Sequence, residues 1–424
     1  MNYTFFKSTL IILISTIITK ILGFIIRTIF IRIIGDGISI YSLILPTYSL
    51  LIAITELGLP YAISCIIARK KYRGKEIIST ILPLVIIFNL IIIFILIISS
   101  KYIAINLLKN NNLYYPLISI SLILPFASIS GILKGYFYGK QNMIPSAISN
   151  IIEQIIRLLL VTLIISKTIQ YSLILSISLF ILITGFAELI QIIIYIHFLP
   201  KKIKINYKLN KKIAYDIFSI SIPSTTSRII GNIEYFLEPI ILTNILILVG
   251  YTNDFISTEY GIYTMYVIPI LTIPLIITNS VSTSLIPEIS KNYNNKNIIR
   301  KRLLSTILIT LSIGIVYCFF IYFKSDLILN ILYKTNKGID YIKILSIIFP
   351  IFYIEGPLIS IIQALNESKY ILFVSIISSI IKILITIILS LFKIGIYSLI
   401  IAEICHIITV ISLCFKKLKA KNYI

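Results

Sequence analysis

The chain has 424 residues, 58% of them hydrophobic, with a mean hydropathy of +1.02 and a formal net charge of +22. A soluble domain of this length cannot hide that much apolar surface, which excludes a soluble enzyme. The charge also lies at the ends of apolar runs and in the links between them, which excludes a basic nucleic-acid-binding face.

Twelve apolar runs follow one another, at about 8–33, 38–67, 77–99, 113–139, 146–166, 171–199, 213–248, 260–287, 303–323, 341–365, 370–392 and 394–415. Each is near the roughly 20 residues that cross a bilayer as helix, and the longer ones predict tilt or extension into water. The first, "MNYTFFKSTLIILISTIITKILG", has Lys7 and an apolar stretch but no small-x-small cleavage site. It reads as a first membrane helix rather than a secretory signal.

The first run carries a polar stripe. Ser15, Thr19, Gly23 and Arg27 fall four apart, with Thr16 and Lys20 in the adjoining row. On one face of a helix such a stripe is rejected by lipid and predicts contact with protein or water. In the second run Glu56 precedes a glycine-proline break in "ITELGLP" and is a candidate for ion coupling. In the fourth, Gly131, Gly135 and Gly139 recur every fourth residue. Inside a bilayer helices associate by close van der Waals contact, and small residues at this spacing make such a face. Glu153 and Arg157 are spaced i, i+4 and are expected to pair.

The longest polar connector, "PKKIKINYKLNKK", lies near the midpoint. It divides the chain into an N-lobe over 1–200, a basic cytoplasmic linker over 201–212 and a C-lobe over 213–424, with six spans in each lobe. The seventh run has its own polar stripe: Ser221, Thr225, Arg228, Asn232 and Tyr235. Glu234 and Glu238 follow as further candidates for ion coupling. Glu188, Glu355, Lys382 and Glu403 sit in apolar surroundings with no partner readable from spacing. Glu403 and His406 have an E-x-x-H spacing without a second copy, so no metal site is read there.

The two halves resemble each other. "LILPFASISGILKGYFYGKQN" from Leu122 matches "IIFPIFYIEGPLISIIQALNE" from Ile347, aligning Pro125 with Pro350 and Gly131 with Gly356. Arg157 aligns with Lys382 at the same offset, and "TKILG" at Thr19 matches "SRIIG" at Ser227. Six spans return the chain to the same side, so the repeats are parallel, a plan used by transporters with the substrate site between the halves. Lys20 and Arg228 occupy matching positions. These two, with Arg27, are the candidate substrate-binding cations, and Ser15, Thr16, Thr19, Gly23, Thr225 and Asn232 are the candidate polar lining.

Twenty-three of the 38 Lys and Arg residues fall on one side of the spans and nine on the other. Lys/Arg excess marks cytoplasmic loops, so both termini are expected in the cytoplasm. No G-x-x-x-x-G-K-[ST] loop and no paired-carboxylate or Ser/His/Asp arrangement stands out. A non-enzyme without cofactor or metal is expected, driven by an ion gradient, the membrane potential or its substrate's own gradient.

"TKILGFIIRTIFIRIIG", "LILPTYSLLIAITELGLPYAISCIIARKKYRG" and "SGILKGYFYGKQNMIPSAISNIIEQIIRLLL" resemble the stage V sporulation protein B family. These are polysaccharide flippases of the MOP superfamily, beside the MurJ-type lipid II flippases and the MATE drug exporters. The resemblance implies an all-α membrane protein of two six-helix bundles in a V around a central cavity, working by alternating access. It implies an undecaprenyl-pyrophosphate-linked saccharide as cargo, as for peptidoglycan or spore cortex, and membrane lipids, a coupling ion (Na+ or H+) and a monomer. The family commonly has two further C-terminal helices, and its lipid II flippases carry arginines in the second and eighth spans. "LPTYSLLIAITE" and "YVIPILTIP" have no basic residue. Two other readings are an ion-coupled exporter of small molecules and a non-transporting scaffold for envelope or spore morphogenesis.

Overall fold

A computed structural model describes residues 3–200, 210–291, 295–365, 367–421 and 423. The basic connector lies outside the described residues from 201 to 209. Among the described residues every regular element is helical.

The chain divides into two compact units, Met1–Asn232 and Ile233–Ile424. The first contains α1 (Tyr3–Ile34), α2 (Ile38–Glu56), α3 (Leu59–Ala68), α4 (Gly74–Tyr102), α5 (Tyr114–Ser121), α6 (Leu124–Gly139), α7 (Ile144–Leu160), the short α8 (Ser166–Thr168), α9 (Leu173–Phe198) and the opening part of α10 (Lys211–Leu248). The second holds the rest of α10, then α11 (Asn253–Gly261), α12 (Ile268–Leu271), α13 (Leu275–Lys291), α14 (Lys296–Tyr333), α15 (Ile339–Phe352), α16 (Glu355–Ala364), α17 (Ser368–Leu391) and α18 (Tyr397–Ala420).

The division falls inside α10 rather than in the 201–212 connector. The packing of the helix's first half explains this division. Ile213 and Ile217 are fully buried among Leu59, Ile63, Ile77 and Tyr195 of the first unit. Tyr72 donates to Asp216 at 2.6 Å, and Lys71 pairs with the same carboxylate at 2.7 Å. The second half joins the other unit through Glu234 and Glu238. A change of polarity marks a connector in sequence, whereas a compact unit is set by where side chains are buried.

Among the described residues ten helical stretches are long and apolar enough to cross a membrane, or eleven if a pair bent by 55° near Thr272 counts as one span. The first, Ile14–Ala68, runs for 55 residues. At about 1.5 Å per residue that is far more than the ~30 Å hydrocarbon core, so it supplies two crossings. The total is then twelve, as the apolar runs predict.

Several spans are broken. Between α2 and α3, Leu57 and Gly58 take left-handed φ values of 44° and 61°. A Cβ on Gly58 would lie 2.3 Å from the Thr225 methyl, so only glycine gives both the turn and the approach of α10. Pro60 then opens α3, where its missing N–H is no loss.

The glycine face of α6 lies on α3. A Cβ at Gly135 would meet the Pro60 carbonyl oxygen at 2.7 Å, and one at Gly139 would meet that of Ser64 at 2.8 Å. Gly131 approaches the Pro60 ring, at 3.2 Å from a Cβ. In the second unit α16 packs on α13 in the corresponding way, and a Cβ on Gly356 would lie 2.8 Å from Ser282 Oγ. The aligned pair Gly131 and Gly356 thus serves the same contact in each unit.

Candidate functional site

Membrane helices bury polar groups at a cost, so the site is sought where those groups gather. Among the described residues three such gatherings stand out, each inside one unit.

The stripe on α1 divides between two surroundings. Ser15 is buried and donates to the Ala147 carbonyl of α7 at 3.3 Å. Gly23 also faces α7, where a Cβ would lie 3.6 Å from Gln154 Oε1. Thr16 and Lys20 are exposed, and Thr19 donates back to the Thr16 carbonyl at 3.1 Å. Arg27, two turns beyond Lys20, lines a cavity of about 210 Å³ inside the first unit. Its wall also includes Gly23, Tyr41, Tyr48, Arg157 and Thr184. Arg157 lies 3.5 Å from Glu153, one turn earlier on α7, and donates to Gln154 at 3.0 Å.

The second place is the break between α2 and α3. Glu56 ends α2, and its carboxylate lies 3.3 Å from an Arg228 guanidinium nitrogen. Ser221 donates to the Leu57 carbonyl, and Thr225 is buried beside Gly58. Asn232 donates to the Arg228 carbonyl at 2.8 Å. Arg228 thus belongs to the first unit with Lys20 and Arg27, and one candidate coupling carboxylate is held by one candidate substrate cation.

The third place is in the second unit. The Lys382 ammonium on α17 meets Glu238 at 2.8 Å and Glu234 at 3.2 Å, both from α10, and Glu403 of α18 at 2.8 Å. The Lys382 side chain is only 11% exposed and those of its partners at most 17%, so the set stands largely apart from solvent. Ser379 donates to Glu234, and His406 Nε2 lies 3.9 Å from the same carboxylate. Three carboxylates around one ammonium leave an excess of negative charge that further donors offset.

Sequence spacing pairs Glu153 with Arg157 but cannot join Lys382 to carboxylates about 20 and 150 residues away, since no periodicity links separate helices. It also leaves Lys134 unmarked. That residue lies on α6 with its ammonium 5.9 Å from the Tyr138 ring centre. One turn earlier, Ser130 donates to Glu188 at 2.6 Å. Tyr41 and Tyr48 are seven apart, a one-face spacing on α2, yet 28 tyrosines in the chain hide that signal.

Comparison with known proteins adds to this geometry. The family described as Polysaccharide biosynthesis protein matches residues 5–293, and the family described as MatE matches residues 233–388. Stage V sporulation protein B of Bacillus subtilis (strain 168) is 31% identical over 395 residues, which is 89% of this chain and 76% of that protein. Lipid II flippase MurJ of the same organism is 24% identical over 333 residues, covering 70% of this chain and 60% of that protein. The solved structure of lipid II flippase MurJ in an inward closed conformation superposes with a TM-score of 0.71 at 16% identity, over 97% of this chain and 88% of the other. The described helices follow that fold.

Proposed function

This chain belongs to the polysaccharide biosynthesis protein family, and from that premise we propose that it is a flippase carrying lipid-linked saccharides across the membrane. The family match over residues 5–293 carries the reading. A multi-pass membrane protein of this family supplies passage, and the relative whose name states an activity is a lipid II flippase. The cargo in this reading is an undecaprenyl-pyrophosphate-linked saccharide, a precursor of peptidoglycan, spore cortex or another envelope polysaccharide. It passes by alternating access through the bacterial cytoplasmic membrane, with both termini on the cytoplasmic side.

The polar groups support an anionic headgroup. A pyrophosphate is held best by guanidinium and ammonium groups away from bulk water. Lys20 is exposed on α1, Arg27 faces a cavity, and Arg228 has a carboxylate partner that an incoming phosphate would displace. Glu56, once released, is free to take a proton or a sodium ion, which links cargo binding to ion coupling. Glu234 and Glu238 are the corresponding acids of the second unit. The protein acts without a cofactor, as a monomer, and makes or breaks no covalent bond in its cargo.

The test is translocation of fluorescent lipid-linked oligosaccharide in proteoliposomes. Wild type is expected to move the probe. Lys20→Ala, Arg27→Ala and Arg228→Ala are each expected to slow it at least tenfold. Wild-type protein that moves none, or three variants that move it as fast as wild type, would overturn the reading or the residue roles respectively. A small-molecule exporter would instead move cationic dyes and leave the oligosaccharide in place.

A further inference from the structure

We infer that the second unit carries a pocket for a single sugar ring, with carboxylates and tyrosines from three helices lining one cavity. The inference deepens the flippase reading by giving the saccharide a contact of its own, and rests on that reading only for the natural source of the sugar.

The cavity has a volume of about 270 Å³. Glu259 reaches it from α11, Asp340 and Tyr341 from the first turn of α15, and Tyr397 from the first residue of α18. The link between α14 and α15 forms one wall. Gly338 in that link has a φ of 92°, and a Cβ there would lie 2.9 Å from an Ile262 methyl and 3.0 Å from a Val267 methyl. Only glycine combines that backbone turn with so close an approach. Next to this wall, Tyr251 donates to the Lys393 carbonyl at 2.5 Å, which ties the α10–α11 link to the α17–α18 link. The Lys/Arg excess predicts this end of the spans outside the cytoplasm, where a saccharide would arrive after crossing.

The lining matches a pyranose in polarity, shape and size. A sugar ring carries hydroxyl donors around its rim, and an ionised carboxylate only accepts. Tyr341 donates to one oxygen of Glu259, and among the described residues no other group donates to Glu259 or Asp340. The remaining carboxylate oxygens can therefore take hydroxyls of one ring. The C–H face of a sugar is apolar and slightly positive, so it packs on the negative face of an aromatic ring. Tyr341 and Tyr397 stand edge to face with centroids 5.3 Å apart, and Tyr397 is 38% exposed. The volume falls just below the ~300–1,000 Å³ of sites for drug-sized molecules, which suits one ring and leaves the rest of a glycan outside. A calcium ion fits less well. It takes about six to eight oxygens, whereas here two carboxylates share the wall with the Lys337 side chain. Among the described residues no group of three or more acid, histidine or cysteine side chains is placed to hold a metal.

The full-length protein in phosphatidylcholine nanodiscs is titrated with glucose and with N-acetylglucosamine, followed by saturation-transfer NMR of the sugar protons. Saturable binding of at least one sugar is expected, with the strongest transfer to protons on one face of the ring. Tyr397→Ala is expected to weaken it about fivefold, and Asp340→Asn about tenfold. Tyr397→Phe keeps the ring and is expected to bind as wild type. Tyr171→Ala, at a tyrosine 82% exposed in the first unit, is expected to change nothing. Tyr397 and Asp340 are both exposed, so neither change opens the core, and each carries the test if the other variant fails to fold. No saturable signal from wild type with either sugar, or wild-type affinity in Tyr397→Ala and Asp340→Asn alike, would overturn the pocket. Calcium chloride is titrated in parallel by calorimetry; calcium binding lost in Asp340→Asn, in protein that binds no sugar, would replace the sugar by a cation. Translocation of lipid-linked oligosaccharide is measured on the same proteins in proteoliposomes. Slower translocation in Tyr397→Ala supports the pocket with the cargo as its source, and lost binding with translocation unchanged supports it with free saccharide as its source. Tyr397-dependent binding without translocation by wild type overturns the flippase reading alone, and translocation without Tyr397-dependent binding overturns the pocket alone.

Discussion

A buried ion set holds only while complete, because losing one member strands the others in a poorly solvating medium. Lys382 is such a member, facing Glu234, Glu238 and Glu403. Lys382→Ala is expected to cost about 3–5 kcal/mol, with Lys382→Arg costing less. The chain has no tryptophan, so intrinsic indole fluorescence cannot report the transition. Thermal unfolding in detergent followed by circular dichroism at the helical band would, and an unchanged midpoint in Lys382→Ala would contradict the assignment. The residues of this cluster were legible singly, as charges in apolar runs. Their union was not, because it joins helices far apart in sequence. Glu153 and Arg157 were legible as a pair because one helix turn brings them together.

At the scale of elements, the glycine face of α6 shows what spacing alone can establish. The four-residue recurrence predicts a close helix contact, and burial then identifies α3 as the neighbour. The weight falls on Gly135 and Gly139, where an added Cβ would run into backbone oxygen. Backbone cannot swing aside as a flexible side chain can, so Gly135→Ala is expected to destabilise by about 1–3 kcal/mol, while Gly131→Ala, facing one proline ring, costs less. Detergent-solubilised yield and the temperature at which monodispersity is lost would rank the two; equal loss would contradict the contact. The long helix α10 teaches the opposite lesson. Its polar stripe was readable, but its division between units was not, since that depends on which helices bury each half.

For the molecule as a whole, composition was decisive. A chain with mean hydropathy of +1.02 and regularly spaced apolar runs can only be a bundle of membrane helices, and the repeat forecast two related halves. The basic residues predict the sides. A fluorescent protein fused after Ile424 is expected to glow, whereas a periplasmic-type phosphatase fused there is expected to be inactive, because the Lys/Arg excess predicts a cytoplasmic position for that end. The reverse pattern would invert every span.

Lys382 has one more implication. Its ammonium is covalently tied to α17 and already occupies the centre of a nest of acids. A sodium ion or proton recruited to Glu234 or Glu238 shares these carboxylates with a resident that cannot diffuse away. Ion arrival at that nest would therefore be felt as slack in α17, an untying of helices, before any loading of a binding site.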